Sequence, residues 1–306
     1  YLKTNLKDLA NHYHALYQDK RFKKKKTENF VEAQHWYRQF LGSFPKAEES
    51  PGINYQLADL LLEHKSFGQA AVEYERTAYD YPAHEKASSA GYAAIYAHRE
   101  HLKAVVQGRK MQVKQEVVRS SLKFADTFPD HDKADVVLGA AADDLYNMEN
   151  FELAKATGRK LIENYPKSKQ SLRRSAWIVV AHSSFELTEY KDAENAYLSV
   201  LRLTANDHKS RPGFIDNLAA SIYKQGERAN TLKEYRKAAN HFLRIAKVAP
   251  GSKIRPTAEY DAVAACFVFG EPVADDFLRF RGVVIGPFDG AAVDVRRVDE
   301  IDTVIE

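Results

Sequence analysis

The chain has 306 residues, 44% of them hydrophobic and 28% charged, enough to bury a sizeable core. Counts of 14 Gly and 10 Pro suit a mostly helical chain, and no window approaches the ~18 uninterrupted apolar residues of a membrane span. The net charge of +3 hides an asymmetry: residues 1–26 hold eight Lys/Arg against two Asp, whereas residues 267–306 hold four Arg against nine Asp/Glu. The single Cys266 excludes an intramolecular disulfide without fixing a compartment. The first residues, YLKTNLKDLANHY, lack the basic-then-apolar layout of a signal peptide, which does not exclude export.

Taken in order, the chain reads as helix pairs. Most pairs close on Phe44-Pro45, Tyr81-Pro82, Phe128-Pro129, Tyr165-Pro166 or Ala249-Pro250, and proline ends a helix because the residue before it avoids the α region. The resulting repeats run over about 1–45, 46–82, 83–129, 130–166, 167–205 and 206–250, with a partial seventh at 251–265. In the first, the run Lys20 to Lys26 separates two helices. The second is compact. The third is irregular, with Val117 where a small residue is expected and His101–Lys110 extending or looping between its helices. The fourth places Leu138, Ala141, Ala142 and Leu145 on the inner face of its first helix, and the fifth uses Trp177, Val180 and Ala181 likewise. The sixth carries GERANTLKE (226–234), read as an expanded turn.

Second helices share an aromatic, a small residue and another aromatic at spacings of three and four, which places all three on one face. The pattern occurs at Phe30/Ala33/Tyr37, Phe67/Ala70/Tyr74, Tyr190/Ala193/Tyr197 and Tyr235/Ala238/Phe242, and at Phe151/Ala154 with Gly158 in the last place. The order Leu57, Ala58, Leu61, Ala70, Tyr74, Pro82, echoed by Trp177, Ala181, Ala193, Tyr197, resembles the tetratricopeptide repeat. The resemblance covers about 250 residues. It implies an all-α, right-handed superhelical solenoid in which each repeat's first helix, helix A, lines a concave groove. A finer resemblance lies in Phe-Pro-Lys-Ala (44–47) and Tyr-Pro-Lys-Ser-Lys (165–169). These turns are similar to those of bacterial envelope repeat proteins such as the Tol-Pal accessory protein YbgF (CpoB) and the outer-membrane assembly lipoprotein BamD, although no lipidation cysteine stands near Tyr1.

Residues 266–306 break the pattern. They are rich in Val and Ile with Gly270, Gly282, Gly286 and Gly290 as breakers, and they read as short strands, as a disordered tail, or as a run that is not native continuation. An array that stops on an incomplete repeat leaves an apolar face, which favours self-association or a partner.

Chemistry-bearing patterns are scarce. No phosphate loop, dinucleotide fingerprint, zinc-protease helix or nucleophile elbow is present. His98 and His101 share a helical face but lack a third ligand; Cys266 lacks an activating partner; Asp143-Asp144 and Asp275-Asp276 diverge. No catalytic residue, metal or cofactor is therefore expected. The motif aromatics are core, so contacts must come from other positions of helix A: Asn54, Gln56, Tyr92, Tyr96, Arg173, Arg174 and Asn217. Asn and Arg there suit the backbone or carboxylates of an extended peptide, and the tyrosines suit its apolar side chains. The expected function is a non-catalytic scaffold for a protein or peptide segment, in the periplasm or envelope, with the cytoplasm as the alternative. Two other readings stay open: a regulatory arm of a larger enzyme, and contact of Lys20–Lys26 with nucleic acid or an anionic surface. One aromatic in that run is too few for a stacking platform.

Overall fold

A computed structural model describes residues 1–269, and the strand-like segments expected after Phe269 lie outside them. Among the described residues the chain forms thirteen α-helices: α1 (Leu2–Gln18), α2 (Lys26–Ser43), α3 (Ser50–Glu63), α4 (Phe67–Tyr79), α5 (Ala87–Ala104), α6 (Lys110–Thr127), α7 (Ala134–Tyr146), α8 (Phe151–Asn164), α9 (Gln170–Glu186), α10 (Tyr190–Arg202), α11 (Arg211–Thr231), α12 (Tyr235–Val248) and α13 (Arg255–Phe269). They fall into two compact units, Tyr1–Asp144 and Leu145 onward, the boundary lying within α7. Inside each unit consecutive helices pack on one another, α1 on α2 and α3 on α4 in the first, α9 on α10 and α11 on α12 in the second. Short connections force such neighbours antiparallel. Among the described residues the fold is all-α, built of consecutive helix pairs.

The aromatic–small–aromatic pattern explains the pairing. Ala33, Ala70, Ala154, Ala193 and Ala238 are fully buried, and the aromatics that follow, Tyr37, Tyr74, Tyr197 and Phe242, are almost so. An alanine at the contact lets two helix axes approach, and the ring one turn later fills the remaining groove. In α8 the ring is replaced by Gly158 because no room exists: a Cβ there would stand 2.9 Å from Val180 Cγ2 and 3.1 Å from the Ala176 carbonyl.

In the pairs α3–α4, α7–α8, α9–α10 and α11–α12 the link between the two helices is a repeated backbone device. Lys65, Glu149, Thr188 and Lys233 each adopt the left-handed conformation, with φ of 63°, 60°, 59° and 59°. At each, the N–H of the next residue bonds back to the preceding helix: Ser66 to Leu61, Asn150 to Leu145, Glu189 to Ser184 and Glu234 to Ala229. The left-handed residue's own N–H bonds to Leu62, Tyr146, Phe185 and Asn230. This double bond set closes a helix end by satisfying its orphan carbonyls. Between repeats, Phe44, Phe128, Tyr165 and Ala249, each preceding proline, share φ near −130° and ψ near 60°.

The expected expanded turn over 226–234 is instead helical as far as Thr231. Gly226 is a close-approach site rather than a breaker, for a Cβ on it would fall 2.4 Å from the Phe242 ring. The lysine run forms a separate turn of 3-10 helix over Lys20–Lys25, while α13 extends four residues past Ala265.

Candidate interaction surface

Two faces emerge from how the helix pairs spend their polar groups. On helices B, the second of each pair, ion pairs link one repeat to the next. Glu75 of α4 receives both oxygens' worth of contacts from Arg119 of α6 (3.0 and 3.1 Å) and lies 3.2 Å from His98 of α5. In the second unit, Arg159 of α8 pairs with Asp192 of α10 at 2.9 Å. Glu194 of α10, only 3% exposed, accepts both guanidinium nitrogens of Arg244 at 3.0 Å and the Gln225 amide at 2.8 Å. Burial alone would push the Glu194 carboxyl up; Gln225, Arg244 and Lys191 outweigh it and hold the group below its ordinary range. Glu75 is held lower still, at about 2, the hydrogen bonds led by that from His98 overcoming its burial.

Helices A receive the hydroxyls of the motif tyrosines, since a buried phenol needs a partner. Tyr37 donates to Asn11 Oδ1 at 3.2 Å and lies 2.9 Å from His14 Nδ1; Tyr74 donates to Asp59; Tyr197 is hydrogen-bonded by Asn217. Where the motif ends in Phe242, Tyr223 of α11 supplies a hydroxyl instead, to Asp261 of α13 at 2.5 Å. Asp59 and Glu63, one turn apart on α3, share a face. Burial raises the Asp59 carboxyl, and Glu63 accepts the Gln18 amide at 2.7 Å. Lys86, just before α5, lies over the Tyr55 ring at 5.9 Å.

The seven residues singled out from sequence divide between the units. Asn54 is fully buried and spends its amide N–H groups on the Glu73 carbonyl (2.7 Å) and Thr77 Oγ1 (2.9 Å), so it bonds α3 to α4 rather than facing a groove. Its burial follows from Ile53, Leu57 and Ala58, which turn that side of α3 inward. Gln56 is half-buried, and its Oε1 is enclosed without a partner. Tyr92 and Tyr96, one turn apart on α5, are 40% and 54% exposed, with the Tyr92 ring stacked on His131. Arg173 and Arg174 are half-buried on α9, and Arg173 Nε is enclosed without a partner. Asn217 lines a small cavity with Tyr146, His182, Phe185 and Tyr197. In that cavity burial holds the His182 imidazole below its ordinary value.

Sequence reasoning passed over an open cleft of about 790 Å³ among α8, α9 and α10. Its apolar lining is Ile162, Trp177, Val180, Ala196 and Leu198, and its polar lining includes Glu163, the Arg159–Asp192 pair and Arg202. Trp177 was the available signal, being large for the wall of a helix pair. His98, weighed in sequence as half of a metal pair, is committed to Glu75.

No family model and no curated protein matches the chain. Among solved structures it is similar to a tetratricopeptide repeat protein from Parabacteroides merdae, at 13% identity and a TM-score of 0.35 over 88% of this chain and 96% of that one. It is also similar to the C-terminal part of a repeat protein from Cytophaga hutchinsonii, at 16% identity and 0.37 over 90% and 96%. A third is a signal-transduction ATPase with a tetratricopeptide repeat sensor from Pyrococcus horikoshii, at 16% identity and 0.35, where the match spans 89% of this chain but 41% of that one.

Proposed function

We propose that this array of tetratricopeptide-type pairs is a non-catalytic scaffold that receives an extended segment of a partner protein along its helix A face. The observation that carries the reading is the pair Tyr92 and Tyr96. Both stand exposed on consecutive turns of a rigid helix, in a chain that buries the second aromatic of its repeat motif, Tyr37, Tyr74, Tyr197 and Phe242, and half-buries Phe67, Phe151, Tyr190 and Tyr235. A tyrosine offers a large apolar surface at little entropic cost and keeps a polar tip for the rim of an interface. Lys133 lies near Tyr92 and Lys103 near Tyr96, which suits a segment carrying apolar side chains flanked by carboxylates. Gln56 is a polar contact of the same reading in the first unit, and the second unit's own helix A face offers Arg173, Arg174 and Asn217 for a segment of its own; Asn54 acts only by holding α3 in place. The location proposed is the bacterial envelope, on the strength of the turns at 44–47 and 165–169.

A photo-crosslinking residue placed at Tyr92 or Tyr96 of the full chain, in cells of the source organism, tests this. Discrete adducts are expected at both positions in the envelope fraction, and none from the same probe at Val72, an exposed position on α4. Equal labelling at all three positions would reject the helix A face. Adducts confined to cytosolic enzyme subunits would favour the reading as an enzyme's regulatory arm.

A further inference from the structure

The turn between α1 and α2 is unlike the links of the later pairs. Four of those links, α3–α4, α7–α8, α9–α10 and α11–α12, use one left-handed residue and close in three or four residues, whereas this one inserts a 3-10 turn, Lys20–Lys25, that buries no side chain and is longer than the three-residue 3-10 turn Gln107–Arg109 between α5 and α6. Asp19 supports it: its side chain accepts the Arg21 backbone N–H at 2.8 Å and grips the Arg21 guanidinium at 2.6 and 2.9 Å, and its carbonyl accepts the Phe22 N–H at 3.0 Å. Asp19 thereby neutralises Arg21. Among the described residues, Lys20, Lys23, Lys24 and Lys25 are in no ion pair, and Lys26 lies 4.6 Å over the Tyr17 ring. Every residue from Lys20 to Glu28 other than Asp19's partner Arg21 is likewise exposed, and so is Arg21 itself. Phe22, at the kink of the turn with φ −99° and ψ 22°, is 39% exposed among these cations.

Four unpaired lysines in six residues repel one another and contribute nothing to the core, so the segment weakens the fold unless an anion meets it. From this we infer that the Lys20–Lys26 turn is a contact for an anionic lipid bilayer. Three features favour headgroups over other polyanions. The charges are lysines, compact point charges without the fork that reads phosphate or base edges in two bonds. The lone aromatic cannot stack successive bases. The turn caps the end of a helix hairpin, so its cations and Phe22 can meet a flat surface together, the cations at the headgroups and the ring at the acyl boundary.

The test is co-sedimentation of the full chain with phosphatidylcholine vesicles containing none or about 30% phosphatidylserine, at about 50 and 300 mM salt. Binding is expected only to the anionic vesicles, weakening as salt rises. Each lysine near the surface is worth about fivefold, so the triple variant Lys23→Gln, Lys24→Gln, Lys25→Gln should lose on the order of a hundredfold. Phe22→Ser should lose severalfold with its salt dependence unchanged. All of these positions are exposed, and the far-ultraviolet circular dichroism of each variant should match the parent. Equal binding to neutral vesicles, no binding to anionic ones, or full affinity in the triple variant would overturn the inference. Salt-sensitive binding of a single-stranded oligonucleotide without vesicle binding would overturn it in favour of nucleic acid.

Discussion

Thr188 holds φ at 59° although its side chain is branched at Cβ and exposed, with little packing to compensate the crowding. The left-handed conformation costs a non-glycine residue roughly 1–2 kcal/mol, of which glycine's greater freedom in the unfolded chain takes back about half. Thr188→Gly is therefore expected to stabilise the protein by about 1 kcal/mol, and Lys65→Gly by less, since lysine is not β-branched. Urea denaturation checks this: the midpoint should rise with the slope unchanged. A lower midpoint would mean that the threonine makes a contact worth more than the strain it bears. The same residues show why these turns are hard to read in a sequence. A glycine at that place would announce a helix end; Lys, Glu and Thr announce nothing, and the turn is imposed by the two helices it joins.

At the scale of the element, the pairs themselves were legible because Ala at the contact with aromatics a turn away repeats at fixed spacing. The stitches between repeats were not. Glu75, His98 and Arg119 lie on α4, α5 and α6, and no local pattern predicts that a carboxylate will meet a guanidinium 44 residues on. The Glu75 carboxyl titrates at about 2 in the fold against an ordinary 4.5, so the unfolded chain binds its proton first as pH falls. The stability it contributes is whole above pH 4.5 and is lost as pH falls toward 2. That contribution is on the order of 2–3 kcal/mol, limited by the half-exposed Arg119. Glu75→Gln should lower stability at neutral pH and shallow its decline between these values. An unchanged slope of unfolding free energy against pH would show that the cluster adds nothing.

For the whole molecule, the repeat logic carries a consequence that the candidate surface shares. Tyr92 and Tyr96 are exposed, whereas Asn54, read from register as a groove position, is buried, because helix periodicity leaves one row on the border between faces. There the outcome turns on whether a buried hydrogen-bond partner exists, and Thr77 provides one. The Trp177 cleft was equally out of reach, since it is made by three helices at once. Stability in such arrays is a sum of neighbour terms, so damage should stay local. Gly226 gives the means to see it: alanine there would drive a methyl to 2.4 Å from the buried Phe242 ring, overpacking the α11–α12 contact at a cost of about 1–3 kcal/mol. Hydrogen exchange on Gly226→Ala should quicken through α11, α12 and α13, whose packing runs through that contact, and leave α1 to α4 at parental rates. Faster exchange spread evenly over all described helices would instead mark a single cooperative block, and the neighbour-by-neighbour account would have to be given up.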